Sequence, residues 1–188
     1  FQDLGAIVDD SCPDFTGAIN SFKTLRAAGF VAGYAALYET QRDKLKPDVI
    51  WNIEHGLKVT AGDIARAELA RGTLYHRIVQ FFRTHDLLLS PVAPVAPFDV
   101  KTRWIREING VVFDNYVEWL RLAYAITLTS CPAISVPCGF TRDGRPVGLQ
   151  MVGKPRGEAA LLSAAAAFEE MTGLAKQLPI EPRTGKAA

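Results

Sequence analysis

A hairpin signal near the C-terminus constrains the fold more than any other feature of this sequence. Residues 132–138 and 147–152 are two apolar runs, and the short connection between them carries the pair Asp143-Gly144. Asp-Gly between two such runs is the strongest short-range signal for an antiparallel hairpin, because the tight turn requires positive φ angles. The chain therefore contains a sheet, and its other segments have to pack around these two strands.

Shorter apolar runs predict further strands. Residues 87–90 are typical of a buried strand, and the segment after them is an extended loop stiffened by Pro91, Pro94 and Pro97. Residues 6–8 predict another short buried strand, following a helical turn that ends at a glycine.

Apolar residues at helical spacing predict four longer helical regions, at 16–44, 60–85, 115–131 and 158–171. The first is expected to stop at Pro47, and the second begins at a capping box formed by Thr60 and Asp63. Counting the N-terminal turn, about five helices alternate with at least four short strands. This order predicts an α/β fold, a mixed sheet flanked by helices, in one domain over residues 1–188 with no repeat or linker.

Charge and cysteine content exclude several classes of protein. Lys+Arg number 21 and Asp+Glu 20, giving a net charge of +1 without a basic stripe, so we expect no nucleic-acid partner. The uncharged stretch 122–141 is long enough to span a membrane, but Pro132, Pro137 and Gly139 interrupt it, so we expect no membrane partner. Three cysteines without a paired spacing, and no signal peptide at the start, predict a soluble cytoplasmic protein.

Motifs for phosphate and metal binding are incomplete. Residues 148–154 fit the first seven positions of a phosphate-binding G-x-x-x-x-G-K loop, but Pro155 stands where a Ser or Thr is needed for magnesium. The three histidines have no metal-ligand spacing. We therefore expect no cofactor and no metal.

No complete catalytic site can be assembled from these residues. None of the six serines lies in a G-x-S-x-G elbow or in a Gly-Ser-rich loop that could bind an oxyanion. Cys131 and Cys138 flank a predicted strand and are expected to be small buried hydrophobic residues, not nucleophiles. We assign no catalytic residue to this chain.

Several segments, in order along the chain, resemble the amidase signature family. Residues 132–140, 143–153 and 158–162 resemble the end of these enzymes, and residues 86–91 with Pro94 resemble their strand and Pro-rich loop. Residues 4–8 and 13–15 are similar to the connection that follows the family's signature region.

The resemblance implies a function that the residues alone do not reveal. Enzymes of this family hydrolyse carboxylic amides with a Ser nucleophile, a second Ser held by a cis peptide and a Lys base, all in the N-terminal portion of the enzyme. None of the Ser or Lys residues here matches those positions. The chain, which begins at Phe1 and not Met, is therefore expected to be the C-terminal portion of an amidase domain whose catalytic portion is absent.

Departures from the family pattern point to the substrate cleft. Thr127 and Ser130 stand where the family often has Asn and Gly. Around residues 116–121, where glutamine-using amidotransferase subunits tend to carry an acidic contact, the chain has Trp119, Leu120 and Arg121, with Glu118 as the one acid. We predict that Tyr116, Trp119, Leu120 and Thr127 contact the substrate. The alternative for Trp119 and Leu120 is a position in the hydrophobic core.

The expected partners are a small-molecule amide, the missing N-terminal half of the same enzyme and a second copy of the chain. Two other functions stay open: an A-type amidotransferase component, and a non-catalytic binding module.

Overall fold

The computed structural model describes residues 1–176, which form five α-helices and five strands. The helices are α1 (Ala18–Thr40), α2 (Pro47–Gly56), α3 (Ala61–Phe81), α4 (Arg121–Thr127) and α5 (Glu158–Thr172). The strands are β1 (Leu87–Ser90), β2 (Glu107–Ile108), β3 (Val111–Val112), β4 (Ala133–Phe140) and β5 (Pro146–Gly153). Single 3-10 turns lie at Gln2–Leu4, Arg42–Lys44, Glu118–Leu120 and Leu174–Lys176.

The central feature is a three-stranded antiparallel sheet in the order β1-β5-β4. Leu88 and Val152 face one side, where they pack in a core cluster with Leu74 and Ile78 of α3. Residues on the opposite side of the sheet, including Met151, pack against α5 in a second cluster. The predicted α/β fold, a sheet flanked by helices, is confirmed, and every strand pair among the described residues is antiparallel.

The predicted hairpin forms, and a bulge in it changes the position of one cysteine. Gly144 has φ of 82° in the turn between β4 and β5. The register shifts between Pro137 and Gly139, so Cys138 has no partner on β5. Cys138 is exposed as a result, and the expectation that it is a buried hydrophobic residue is wrong; Cys131 is half-buried.

The N-terminus of α3 is fixed as its sequence predicts. The Thr60 hydroxyl accepts from the Asp63 backbone amide, and the Asp63 carboxylate accepts from the Thr60 amide. These two bonds satisfy amides that have no partner inside the helix. The helix ends at Phe81, four residues before the predicted end, and His85 Nδ1 lies 3.1 Å from the Phe81 carbonyl oxygen.

Pro47 begins a helix that the sequence pattern did not predict. It occupies the first turn of α2, where a proline costs nothing because the amide there has no helical partner. The chain before it does end a helix, since α1 stops at Thr40. Pro47 was therefore correctly interpreted as a break, but the ten-residue helix after it was missed.

The predicted strand at residues 6–8 is wrong. No strand forms there, and Ile7 is fully exposed. The 3-10 turn before it does end at Gly5, which has φ of 83°. A run of three apolar residues gains nothing from an extended conformation without a neighbouring strand, and none lies beside it among residues 1–176.

The helix predicted over residues 115–131 is shorter in the structure. It comprises the turn Glu118–Leu120 and then α4, which ends at Thr127. Within the described part of the chain, the helices are too short or too polar to cross a bilayer.

Candidate functional site

A cleft of about 470 Å³ lies between the Pro-rich loop after β1 and the hairpin of β4 and β5. One wall is residues 91–98, and the facing wall is residues 146–148 with Ser135 of β4. Trp119, in the 3-10 turn before α4, also lines it. All of these side chains are uncharged, and Ser135 carries the one hydroxyl among the described residues that line the cleft.

Two contacts hold the walls of the cleft in place. The Arg145 guanidinium donates a hydrogen bond to the Pro97 carbonyl oxygen, which ties the hairpin to the Pro-rich loop. Phe98, at the end of the loop, packs edge-on against Trp119 with ring centroids 5.7 Å apart. Pro91, Pro94 and Pro97, whose φ angles are fixed, stiffen the loop up to this anchored end.

The sheet beside the cleft carries a row of polar side chains, one on each strand. Gln150 of β5 lies in register between Ser90 of β1 and Ser135 of β4, so all three point to the same face. Ser90 Oγ donates to Gln150 Oε1 at 3.1 Å, and Gln150 is 7% exposed. Ser135 is exposed, and it lines the cleft.

The predicted substrate contacts are not gathered in one place. Trp119 lines the cleft. Leu120, its neighbour, is half-buried and does not line the cleft. Thr127 is exposed at the end of α4, and its hydroxyl donates to the Ala123 carbonyl oxygen at 3.2 Å.

Tyr116 lies in a different environment, between α1 and α2. Its hydroxyl accepts hydrogen bonds from Arg26 Nη2 at 2.9 Å and from Asn52 Nδ2 at 2.7 Å. The Arg26 guanidinium also lies 4.6 Å from the centroid of the Phe30 ring. Tyr116 therefore connects three segments of the chain through its hydroxyl, and it does not line the cleft.

An ion pair beside this cluster is the most enclosed charge in the described residues. Glu118 is 8% exposed and accepts a hydrogen bond from the Lys23 ammonium. Its second carboxylate oxygen accepts from the Asp114 amide at 3.1 Å. The bond from Lys23 lowers the pKa of Glu118 below its ordinary value; burial opposes this shift, and the Asp114 amide adds to it.

Sequence reasoning missed most of the cleft. It identified the Pro-rich loop and the hairpin as elements but did not place them opposite each other, so Phe98, Ser135 and Val147 were not proposed as site residues. The signal available was the polar alternation in the strands, since Ser90, Ser135 and Gln150 interrupt otherwise apolar runs. A polar residue inside a buried strand often marks a site.

The cleft offers a ligand apolar surface and one hydroxyl, that of Ser135. Within residues 1–176, no hydrogen bond joins this hydroxyl to a basic side chain, the arrangement that activates a serine nucleophile. Burial raises the pKa of the Cys131 thiol, which disfavours the thiolate. In the same part of the chain, His, Cys, Asp and Glu residues form no cluster of three or more that could hold a metal ion.

The family model and the similar proteins identify the same family. The model of the family described as Amidase matches residues 12–162. An acylamidase of Rhodococcus erythropolis is 30% identical over 184 residues, which are 96% of this chain and 38% of the relative. The A-type component of the glutamyl-tRNA(Gln) amidotransferase of Streptococcus equi subsp. zooepidemicus is 37% identical over 115 residues, 61% of this chain and 22% of the relative.

Solved structures of amidases have a similar fold. A crystal structure of an amidase superimposes with a TM-score of 0.82 at 22% identity, covering 90% of this chain and 39% of the other. The chain thus spans less than half the length of the proteins that it matches.

Proposed function

The chain belongs to the amidase family, and from that membership we propose that it is the C-terminal portion of an enzyme that hydrolyses a carboxylic amide to an acid and ammonia or an amine. In this proposal the chain supplies sheet strands and one wall of the substrate cleft. The catalytic residues lie in a portion of the enzyme upstream of Phe1.

One observation carries the proposal: the chain aligns over almost its full length with an acylamidase, yet it corresponds to only 38% of that protein. The described residues are consistent with this division, because they contain an uncharged cleft and no serine with a base. The portion of a hydrolase that lacks the nucleophile can still form one wall of the substrate cleft.

The chemistry follows from the triad that the family resemblance implies. A neutral Lys accepts the proton of a bridging Ser, which in turn deprotonates the nucleophilic Ser. The nucleophile attacks the amide carbonyl, the amine leaves with a proton, and water hydrolyses the acyl-enzyme. This chain would hold the acyl side of the substrate during these steps, with Trp119 in contact with it. In the complete enzyme, Tyr116, Leu120 and Thr127 would also contact the substrate, and Tyr116 would in addition fix α1 and α2 through its bonds to Arg26 and Asn52.

An A-type amidotransferase component is the second candidate. Its support is the similarity to the A-type components of glutamyl-tRNA(Gln) amidotransferases, at 37% identity over 115 residues for the Streptococcus protein. Those proteins tend to carry an acidic contact within the stretch that corresponds to residues 116–121. Here that stretch holds Trp119 and Leu120, and Glu118, its one acid, pairs with Lys23, which favours a free amidase. Co-purification with a second protein chain or with tRNA would favour the amidotransferase.

Ammonia release tests the proposal. We expect the purified 188-residue chain to release no ammonia from simple amides above background, and the protein extended upstream of Phe1 to do so. Loss of a nucleophile in comparable hydrolases costs on the order of 10⁶ in turnover, so the contrast should be unmistakable. Clear turnover by the short chain would contradict the proposal.

A further inference from the structure

We propose that Arg145 is a positioning residue, which holds the Pro-rich loop against the hairpin of β4 and β5 and thereby limits the width of ligand that the cleft accepts. This inference rests on the proposed amidase function, and it adds the residue that sets the size of the substrate.

Arg145 joins the two walls at one end of the cleft. It directly precedes residues 146–148 of the hairpin wall, and its guanidinium donates a hydrogen bond to the carbonyl oxygen of Pro97 in the facing wall, residues 91–98. The Arg145 side chain itself does not line the cleft. It therefore acts on a ligand through the position of the loop, without touching the ligand.

The turn of the hairpin orients this guanidinium. Asp143 Oδ2 lies 2.8 Å from Arg145 Nη2, and the other carboxylate oxygen accepts a hydrogen bond from the Thr141 hydroxyl. An exposed ion pair of this kind adds little stability, but it restricts a long side chain to one direction. Because the guanidinium is a planar fork, Nη1 is free to bond Pro97 while Nη2 is held by Asp143.

The Pro-rich loop has few other supports at this end. Between β1 and β2 the chain forms neither helix nor strand, and residues 97–103 are exposed. The other contact beside the cleft is the edge-on packing of Phe98 against Trp119, and an ion pair between Arg103 and Asp48 follows further along the chain. Without the bond from the hairpin, the end of the loop can therefore move away from the facing wall.

An outward movement of one wall has opposite effects on narrow and wide ligands. A narrow ligand that touches both walls loses van der Waals contacts, which weaken steeply with distance. A ligand too wide for the closed cleft gains room and new contacts. General damage to the fold would instead weaken the binding of both, so the ratio between a wide and a narrow ligand isolates the effect of the wall.

The test uses the full-length protein that contains this chain, with benzamide and α-naphthamide, which carry the same amide group on one ring or on two fused rings. In Arg145→Ala the ratio of kcat/KM for α-naphthamide to that for benzamide should rise on the order of tenfold, because one charge-assisted hydrogen bond between the walls is lost. The matched control Arg142→Ala removes the same charge from the same turn, leaves the bond to Pro97 in place and should not change the ratio.

A second readout does not depend on turnover. Acetophenone and α-acetonaphthone have the shapes of the two amides but no amide bond, and the ratio of their affinities, measured by calorimetry, should shift in the same direction in Arg145→Ala. Ratios that stay unchanged in Arg145→Ala, or that shift equally in Arg142→Ala, would overturn the inference. A shift in the ketone ratio that depends on Arg145, without hydrolysis of any amide by the wild-type protein, would support the role of Arg145 and contradict the proposed function.

Discussion

The buried carboxylate of Glu118 makes the stability of the folded protein depend on pH. Its carboxylate lies between α1 and the turn before α4, with the Lys23 ammonium on one oxygen and the Asp114 amide on the other. These bonds lower the pKa of Glu118 in the folded protein. A depressed folded pKa means that the pair stabilises the fold at pH values above the unfolded pKa, about 4.3, and that this stabilisation is lost as the pH falls through the folded value.

The corresponding prediction concerns Glu118→Gln. At pH 7 the variant should be less stable by about 1–2 kcal/mol, because Lys23 loses its counter-ion and a charge-assisted bond. The difference should shrink as the pH falls through the lowered folded pKa of Glu118, because the wild-type carboxylate then becomes protonated too. Thermal denaturation of the wild type and the variant between pH 7 and 3.5 measures the stability difference and its dependence on pH. Glu54→Gln, in an exposed ion pair with Arg42, is the control and should have little effect; a pH-independent difference for Glu118→Gln would contradict the assignment.

At the level of elements, α1 and α2 pack so closely that only a glycine fits between them. A Cβ on Gly56 would lie 2.1 Å from the Ala27 carbonyl oxygen and 2.6 Å from a methyl group of Val31. Because the first of these atoms belongs to the backbone of α1, the helices would have to separate.

Gly56→Ala should therefore destabilise the protein by about 2–3 kcal/mol. Gly33→Ala is the matched control, since Gly33 lies in α1 with no atom near the position of a Cβ. It should gain roughly 0.5–1 kcal/mol from the higher helix propensity of alanine. Denaturant unfolding compares the two. If both variants changed the free energy of unfolding in the same direction, the close packing of α1 against α2 at Gly56 would be contradicted.

The elements that were predictable from sequence are those with a local cause. The capping box at Thr60 and the Asp143-Gly144 turn act within four residues, so their patterns are sufficient. The hairpin of β2 and β3 also carried such a signal, since Asn109 and Gly110 both have positive φ, but it was overlooked. The strand predicted at residues 6–8 was wrong for the opposite reason. A strand needs a neighbouring strand to pair with, and the local sequence does not reveal whether one is present.

The site was less predictable than the fold, because it depends on contacts between distant segments. Trp119 was identified through a departure from the family pattern, and it does line the cleft. The tie between Arg145 and Pro97 spans 48 residues, and no local pattern predicts it. Tyr116 was also predicted to contact the substrate, and its hydroxyl bonds to Arg26 and Asn52. The predicted role of Tyr116, Leu120 and Thr127 at the substrate stays a prediction.

On the scale of the whole molecule, the sheet has two open edges. In the order β1-β5-β4, the outer sides of β1 and β4 have no strand partner among the described residues. Phe140, at the turn end of the hairpin and outside the cleft, is 55% exposed. Unpaired edges beside apolar surface favour association with other chains.

The isolated 188-residue chain should therefore self-associate. Light scattering should give a mass above that of the monomer, and a hydrophobic dye should bind more strongly than to the protein extended upstream of Phe1, in which we propose that the added residues cover this surface. A monodisperse monomer with little dye binding would instead favour a self-sufficient binding module.

We propose that the nucleophile of the complete enzyme lies outside residues 1–188, and covalent labelling of that serine tests this. The extended protein would be treated with a fluorophosphonate, which reacts with activated serines, and digested, and the labelled peptide would be identified by mass spectrometry. We predict that the label lies on a serine upstream of Phe1 and that the 188-residue chain alone takes up none. A label on Ser135, or on any other serine of this chain, would contradict the claim.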